Sequence, residues 1–136
     1  MNNNLNSKEY GVMGEKIAHK LLSSIFNSIV YDPVGRVDFI CQDNNLSYYV
    51  EVKSCLQQVT DHSHDKNTRS GRFNLNRLQY NYIRALRNSF YLFIEFQNDL
   101  WMINKIVFIK VKDLNLCFNG VSDKAFTFES IMEIKE

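Results

Sequence analysis

Two runs decide how this chain is read: Gly35-Arg36-Val37-Asp38-Phe39-Ile40, followed by Tyr48-Tyr49-Val50-Glu51-Val52-Lys53-Ser54. Both are rich in β-branched and aromatic residues, and the turn-forming Gln42-Asp43-Asn44-Asn45 lies between them. They read as neighbouring strands, Arg36–Cys41 and Leu46–Cys55. Side chains alternate along a strand, so Glu51 and Lys53 share one face while Val50 and Val52 take the other. Working outward, Ser28–Tyr31 is a further β-like run, and Pro33 marks the turn between it and the next. Upstream, Tyr10, Met13, Ile17, Leu21 and Ile25 recur at helical intervals, widened by Ala18 and Leu22, which predicts a helix over 8–26 capped by Ser7. Downstream, Gln57–Ser70 is too hydrophilic to be core. Asn74 or Asn76 is placed to cap a second helix carrying Leu75, Leu78, Tyr82, Ile83 and Leu86. Tyr91–Phe96 and Leu100–Val111 read as strands joined at Gln97-Asn98-Asp99, and Phe128–Ile134 has helix-like spacing. The order is α-β-β-β-α-β-β, an α/β fold with a mixed β-sheet flanked by helices.

The whole chain, 136 residues, suits a single domain. Its 45% hydrophobic and 23% charged residues exclude a disordered chain. Apolar runs such as Tyr91–Phe96 and Ile106–Val111 fall far short of the roughly 20 residues of a membrane span, so no membrane partner is expected. The run Asn2–Asn4 reads as a frayed terminus, and Met1–Asn4 has no basic-then-apolar signal architecture, so secretion is not expected. Cys41, Cys55 and Cys117 are odd in number and widely spaced, which argues against a disulfide scaffold and fits a cytoplasmic protein. Sixteen Lys+Arg against fifteen Asp+Glu leave a net charge of +1, so any nucleic-acid footprint must be local.

Asp38 interrupts an apolar run and is costly to bury there without a partner. With Glu51 and Lys53 on the adjoining strand, it forms a set that a divalent cation would relieve. Carboxylate oxygens suit magnesium, with waters completing its shell. Such an ion polarises a phosphoryl oxygen and acidifies a bound water, and Lys53 would orient that water or stabilise charge on the phosphate. Glu15, at the border of the first helix's apolar stripe, is placed to point at the same cluster. The plainer reading is that Glu51 and Lys53 are a same-face ion pair on a half-exposed strand.

Gly14-Glu15, Val37-Asp38 and Glu51-Val52-Lys53 together resemble the PD-(D/E)XK nuclease superfamily, and within it the archaeal Holliday-junction-resolvase type. The resemblance spans roughly Glu9 to Phe96. It implies a restriction-endonuclease-like fold and a metal-dependent endonuclease acting on DNA. Asp38, Glu51 and the Val52 carbonyl would then hold Mg2+, or Mn2+ in its place. Lys53 would act on the attacking water and Glu15 would complete the acidic pocket. In families of this kind a helical glutamine borders the site, a position Gln79 matches; its alternative is an ordinary surface glutamine. No proline precedes Asp38, and the polar insertion after Lys53 is long for a compact resolvase.

From Lys66 to Phe90 there are six cations and no acidic residue. Lys66, Arg69, Arg72 and Arg77, with Arg36 beside Asp38, are the candidate nucleic-acid contacts; Arg69 and Arg72 are expected on a loop, and Arg84 and Arg87 on a solvated helix face. Asp61-His62-Ser63-His64-Asp65 has ligand-competent residues but not the spacing of a closed zinc site, and reads as a polar loop. Trp101, Phe93 and Phe96 read as core or interface aromatics, and His19 as a helix-surface residue. No Walker loop or dinucleotide fingerprint is present, so no nucleotide cofactor is expected. The leading expectation is a magnesium-dependent endonuclease cutting branched or double-stranded DNA. A two-fold junction substrate implies a homodimer, with Leu100–Val111 as core or dimer face. The alternatives are a non-catalytic nucleic-acid-binding module on the same fold and an RNA-directed nuclease.

Overall fold

A computed structural model describes residues 6–98 and 102–135. Its elements are α1 (Ser7–Ile25), β1 (Ser28–Tyr31), β2 (Phe39–Asp43), β3 (Leu46–Leu56), β4 (Gln58–Thr60), β5 (Thr68–Ser70), β6 (Arg72–Asn76) and α2 (Arg77–Ala85). They are followed by β7 (Ser89–Phe96), β8 (Ile103–Lys110), a single 3-10 turn (Val111–Asp113), β9 (Asp123–Thr127) and α3 (Phe128–Ile134). Five strands form a mixed sheet in the order β1-β2-β3-β7-β8, antiparallel except for the parallel pair β3–β7. The fold is α/β, as expected. Among the described residues no helix is long and apolar enough to cross a membrane. Met1–Asn4 and Trp101 lie outside the described residues.

The first helix is capped by Asn6 rather than Ser7: the Asn6 side chain accepts a hydrogen bond from the Glu9 N–H at 2.9 Å. Its buried line is Gly14, Ala18 and Leu22, while Leu21 and Ile25 face outward. Tyr10, Met13 and Ile17 pack against the same core, so the stripe marked by periodicity holds on that side and fails only at Leu21 and Ile25. At Gly14 the approach is tightest, since a Cβ there would run into the Ser54 side chain of β3.

The hairpin β2–β3 turns through Asn44 and Asn45, both left-handed, as a two-residue hairpin turn requires. The second strand starts at Phe39, three residues later than the sequence suggests. Residues 32–38 instead form a loop around the Asp32 carboxylate, which accepts N–H bonds from Val34, Arg36 and Val37. Asp38 therefore sits at the mouth of β2 and not within it.

The parallel pairing of β3 with β7 demands a crossover, and the polar insertion supplies it. Gln57–Ser70, too hydrophilic to be core, contains an antiparallel ribbon, β4–β5. Next, β6 pairs with β9 in a second ribbon that buries Phe73 and Leu75 and exposes Arg72 and Asn74. Leu75 thus belongs to a strand and not to the second helix. Asn76 caps α2, accepting from the Gln79 N–H at 2.9 Å. The buried face of α2 is Tyr80 and Ile83; Leu78 and Tyr82, assigned to the core by spacing, are 71% and 52% exposed. The Tyr80 hydroxyl fixes this rotation by donating to the Leu114 carbonyl at 2.6 Å.

Two cores result. Ala18, Leu22, Phe39, Val50, Val52, Leu92 and Ile94 fill the space between α1 and the sheet. On the opposite face, Phe73, Leu75, Ile83, Tyr91, Phe93, Phe126 and Ile131 join the sheet to α2, α3 and the β6–β9 ribbon. Phe93 and Phe96 are fully buried. β8 is an edge strand whose Ile106 and Phe108 remain exposed.

Candidate active site

Strand alternation places Tyr49, Glu51, Lys53 and Cys55 on the α2 side of the sheet, opposite Val50 and Val52. Glu51 is 6% exposed, a position a carboxylate occupies only with partners. Two reach it. The Lys53 ammonium lies 3.3 Å from Glu51 Oε2, and Gln79 Nε2 donates to the same oxygen at 2.8 Å. Capping by Asn76 starts α2 at the point that lets Gln79 bridge helix and sheet.

Asp38 enters from the loop before β2. Its Oδ2 accepts the Val52 N–H at 2.7 Å, tying the loop to β3 between Glu51 and Lys53. From there the Asp38 carboxylate acts on two others. Burial raises the Glu51 pKa to about 7, and Asp38 adds to that rise, while Lys53 and Gln79 oppose it. Glu15, half-buried on α1, is raised by burial and then by the charge and side chain of Asp38. Asp38 links the group: Lys53 and Gln79 meet Glu51 on the α2 side of the sheet, and Glu15 interacts with Asp38 from α1.

Three carboxylates against one ammonium make a site with excess negative charge. Among the described residues no three His, Cys, Asp or Glu side chains are already arranged as a metal-holding group. Magnesium asks for less: one or two carboxylates, with waters in the remaining positions. Asp38 and Glu51 provide hard oxygen donors, and the mutual repulsion among the carboxylates is what a divalent cation would relieve.

Two residues escaped the sequence reading. Asp32 is buried, and Arg36 Nε lies 3.2 Å from its Oδ2. Burial pushes the Asp32 carboxyl up, but Arg36 and the three N–H donors outweigh it and hold it below the ordinary range. The Asp-Pro-x-Gly composition marked a turn; that its Asp organises the loop presenting Asp38 was the available signal. Tyr91 pairs with Glu51 across β3–β7, and its buried hydroxyl has no hydrogen-bond partner. Burial, then the nearby Glu51, raise its pKa.

The candidate nucleic-acid contacts are dispersed. The Arg36 guanidinium lies over the Tyr49 ring, 5.2 Å from its centroid, and two residues from Asp38. Arg69 and Arg72 are on strands β5 and β6, not on a loop. Arg69 is engaged by Asp61, Nε to Oδ2 at 3.1 Å. Arg77 opens α2, with its N–H bonded to the Ser122 carbonyl, and Lys66 is exposed in the His62–His64 loop. In that loop Asp61 turns back to accept from Ser63.

No protein-family model matches this chain, and no curated protein matches it significantly in sequence.

Proposed function

We propose that this protein is a magnesium-dependent endonuclease that hydrolyses DNA phosphodiester bonds, on a restriction-endonuclease-like variant of its α/β fold. The observation that carries the reading is a chain of three interacting carboxylates, Glu15 to Asp38 to Glu51, with Lys53 and Gln79 on the Glu51 end. A purely structural sheet has no reason to gather three carboxylates against one ammonium at a cost in stability.

Asp38, Glu51 and the Val52 carbonyl would hold the cation, which when bound supplies Lewis acidity and a more acidic water. Lys53 sits beside Glu51, where its ammonium would orient the attacking water and stabilise charge growing on the non-bridging oxygens. Attack forms one P–O bond and breaks the ester P–O bond to the leaving oxygen, which takes up a proton. Gln79 holds the Glu51 carboxylate in place throughout. Arg36, steadied by Asp32 and Tyr49, would meet a phosphate at the rim.

Branched DNA, itself a two-fold object, is the substrate class that fits a symmetric enzyme of this kind. The exposed Ile106 and Phe108 on the edge strand would then form the homodimer face. Three free cysteines suit the reducing cytoplasm. The test is cleavage of linear, single-stranded and four-way-junction DNA with magnesium or EDTA. Cleavage abolished by EDTA and by Asp38→Ala or Lys53→Ala, with binding retained, supports the reading. Undiminished cleavage by those variants overturns the site, and tight binding without cleavage indicates a binding module instead.

A further inference from the structure

Beyond Lys53, the same face of β3 continues to Cys55, which forms part of the floor of a cavity of about 230 Å³. Its walls include Tyr10 from the first turns of α1, Arg69 from β5, and Arg72 and Asn74 from the outward face of β6. Gly71 brings these walls together: a Cβ there would overlap the Leu56 carbonyl, so only glycine lets β6 cross the end of β3 this closely.

The lining is one-sided in charge. Among the described residues it holds two guanidinium groups, an amide and a phenol, and no carboxylate lines it, the buried Glu95 lying beside Cys55 on the next strand. Arg69 is shared with Asp61 on the ribbon, whereas no described carboxylate forms an ion pair with Arg72. The Cys55 thiol, pushed up to about 12 by burial and then by Glu95, stays neutral and adds no competing anion. Tyr10 is likewise raised, by burial first, and remains a hydroxyl donor. The cavity is an anion site in its donor chemistry. It also lies two strand residues, about 6.6 Å along β3, from the lysine of the acidic site. Neighbouring phosphates on one nucleic-acid strand are separated by a similar length.

We propose that this cavity binds the phosphodiester next to the one at the acidic site, on the Lys53 side, through Arg72, Arg69, Asn74 and Tyr10. The inference rests on the nuclease reading for its polymer, but it assigns a separate contact. It fixes which way the strand lies: one phosphate over Asp38 and Glu51, the next beyond Lys53.

The experiment measures binding of a single-stranded oligonucleotide and a four-way junction by fluorescence anisotropy in EDTA, over a salt series. Wild type is compared with Arg72→Gln, Arg72→Lys and Asn74→Ala, each at an exposed position on the ribbon. Arg72→Gln should weaken binding three- to tenfold and lower the slope of log K against log salt by roughly 0.7–0.9; Arg72→Lys should restore most of the slope. A set of oligonucleotides, each with one neutral methylphosphonate linkage, locates the contact. One linkage should weaken wild-type binding and cause no further loss in Arg72→Gln. Competition by inorganic phosphate at millimolar concentration, without effect of the linkage position, would assign the cavity to a small anion and overturn the proposal. So would identical linkage profiles for wild type and Arg72→Gln. Binding with this coupling but no cleavage under magnesium would sink the nuclease reading and leave the phosphate site standing.

Discussion

Gln79 Nε2 on α2 donates to Glu51 Oε2 on β3 across 2.8 Å, so a helix and a strand 28 residues apart in sequence share one hydrogen bond at the acidic site. The bond favours the charged carboxylate, and it works against the burial and the Asp38 charge that favour the neutral acid.

Removing that donor should make Glu51 harder to ionise. In Gln79→Leu the Glu51 pKa is expected to move above its value of about 7, read by carbon-detected NMR titration of the side-chain carboxyl. If the enzyme reading holds, the acidic limb of the cleavage profile moves to higher pH by the same amount. A pKa unchanged in Gln79→Leu would show that this contact does not tune the site.

Stability should fall with rising pH through the same group. Between the ordinary carboxylate value of 4.5 and about 7, the folded state keeps a proton on Glu51 that the unfolded chain has lost. The slope of unfolding free energy against pH is therefore negative across this window, and above pH 7 the cost reaches an order of 3 kcal/mol, at about 1.4 kcal/mol per unit. Glu51→Gln should flatten that slope and raise the melting temperature at pH 8, as measured by denaturation in EDTA.

Magnesium should reverse the penalty. A cation that binds only the folded state stabilises by RT ln(1 + [L]/Kd), close to 2.7 kcal/mol at a hundredfold excess over Kd. Thermal melts at pH 8 are expected to shift upward with magnesium in wild type and not in Asp38→Asn. An equal shift in both would place any binding elsewhere.

The two close-approach glycines should behave differently. At Gly14 the obstacle is the Ser54 hydroxyl, a movable group that is itself buried without a hydrogen-bond partner. Gly14→Ala should cost about 1–2 kcal/mol, and Ser54→Ala should recover much of it in the double variant. At Gly71 the obstacle is the Leu56 main chain, which cannot rotate away. Gly71→Ala should cost more, about 2–4 kcal/mol, with no single rescuing substitution. Urea denaturation of the five proteins checks both.

Asp32 should be needed for the loop that presents Asp38. Asp32→Ala leaves the Val34, Arg36 and Val37 N–H groups without their acceptor, a loss of roughly 2–4 kcal/mol. Its carboxyl lies below the usual range in the folded state, so the wild-type contribution is present above pH 4 and is lost as pH falls through the folded value. Acid denaturation of wild type and Asp32→Asn should therefore converge at low pH.

Much of the site could be read from residue spacing. Glu51 and Lys53 on one face follow from strand alternation, and Glu15 follows from helical periodicity, because both are short-range geometry. The strands that carry Arg69 and Arg72 could not be read this way. β5 and β6 are only three and five residues long; β5 closes a short polar ribbon with β4 and β6 pairs with the distant β9, so no apolar alternation marks either from its neighbours. The rotation of α2 is likewise set by a distant contact. Its exposed Leu78 and Tyr82 look like core residues until Tyr80 is seen anchored to Leu114.

By itself, the sequence determined the alternation, the helix periods and the chemical types of the groups, since these depend on neighbours a few bonds away. Only the tertiary structure decided that Asp38 hangs on the Val52 N–H, that Gln79 meets Glu51, and that Gly71 closes a basic cavity beyond Lys53. Those are contacts between distant segments, and their distances are set by how the layers pack around two cores.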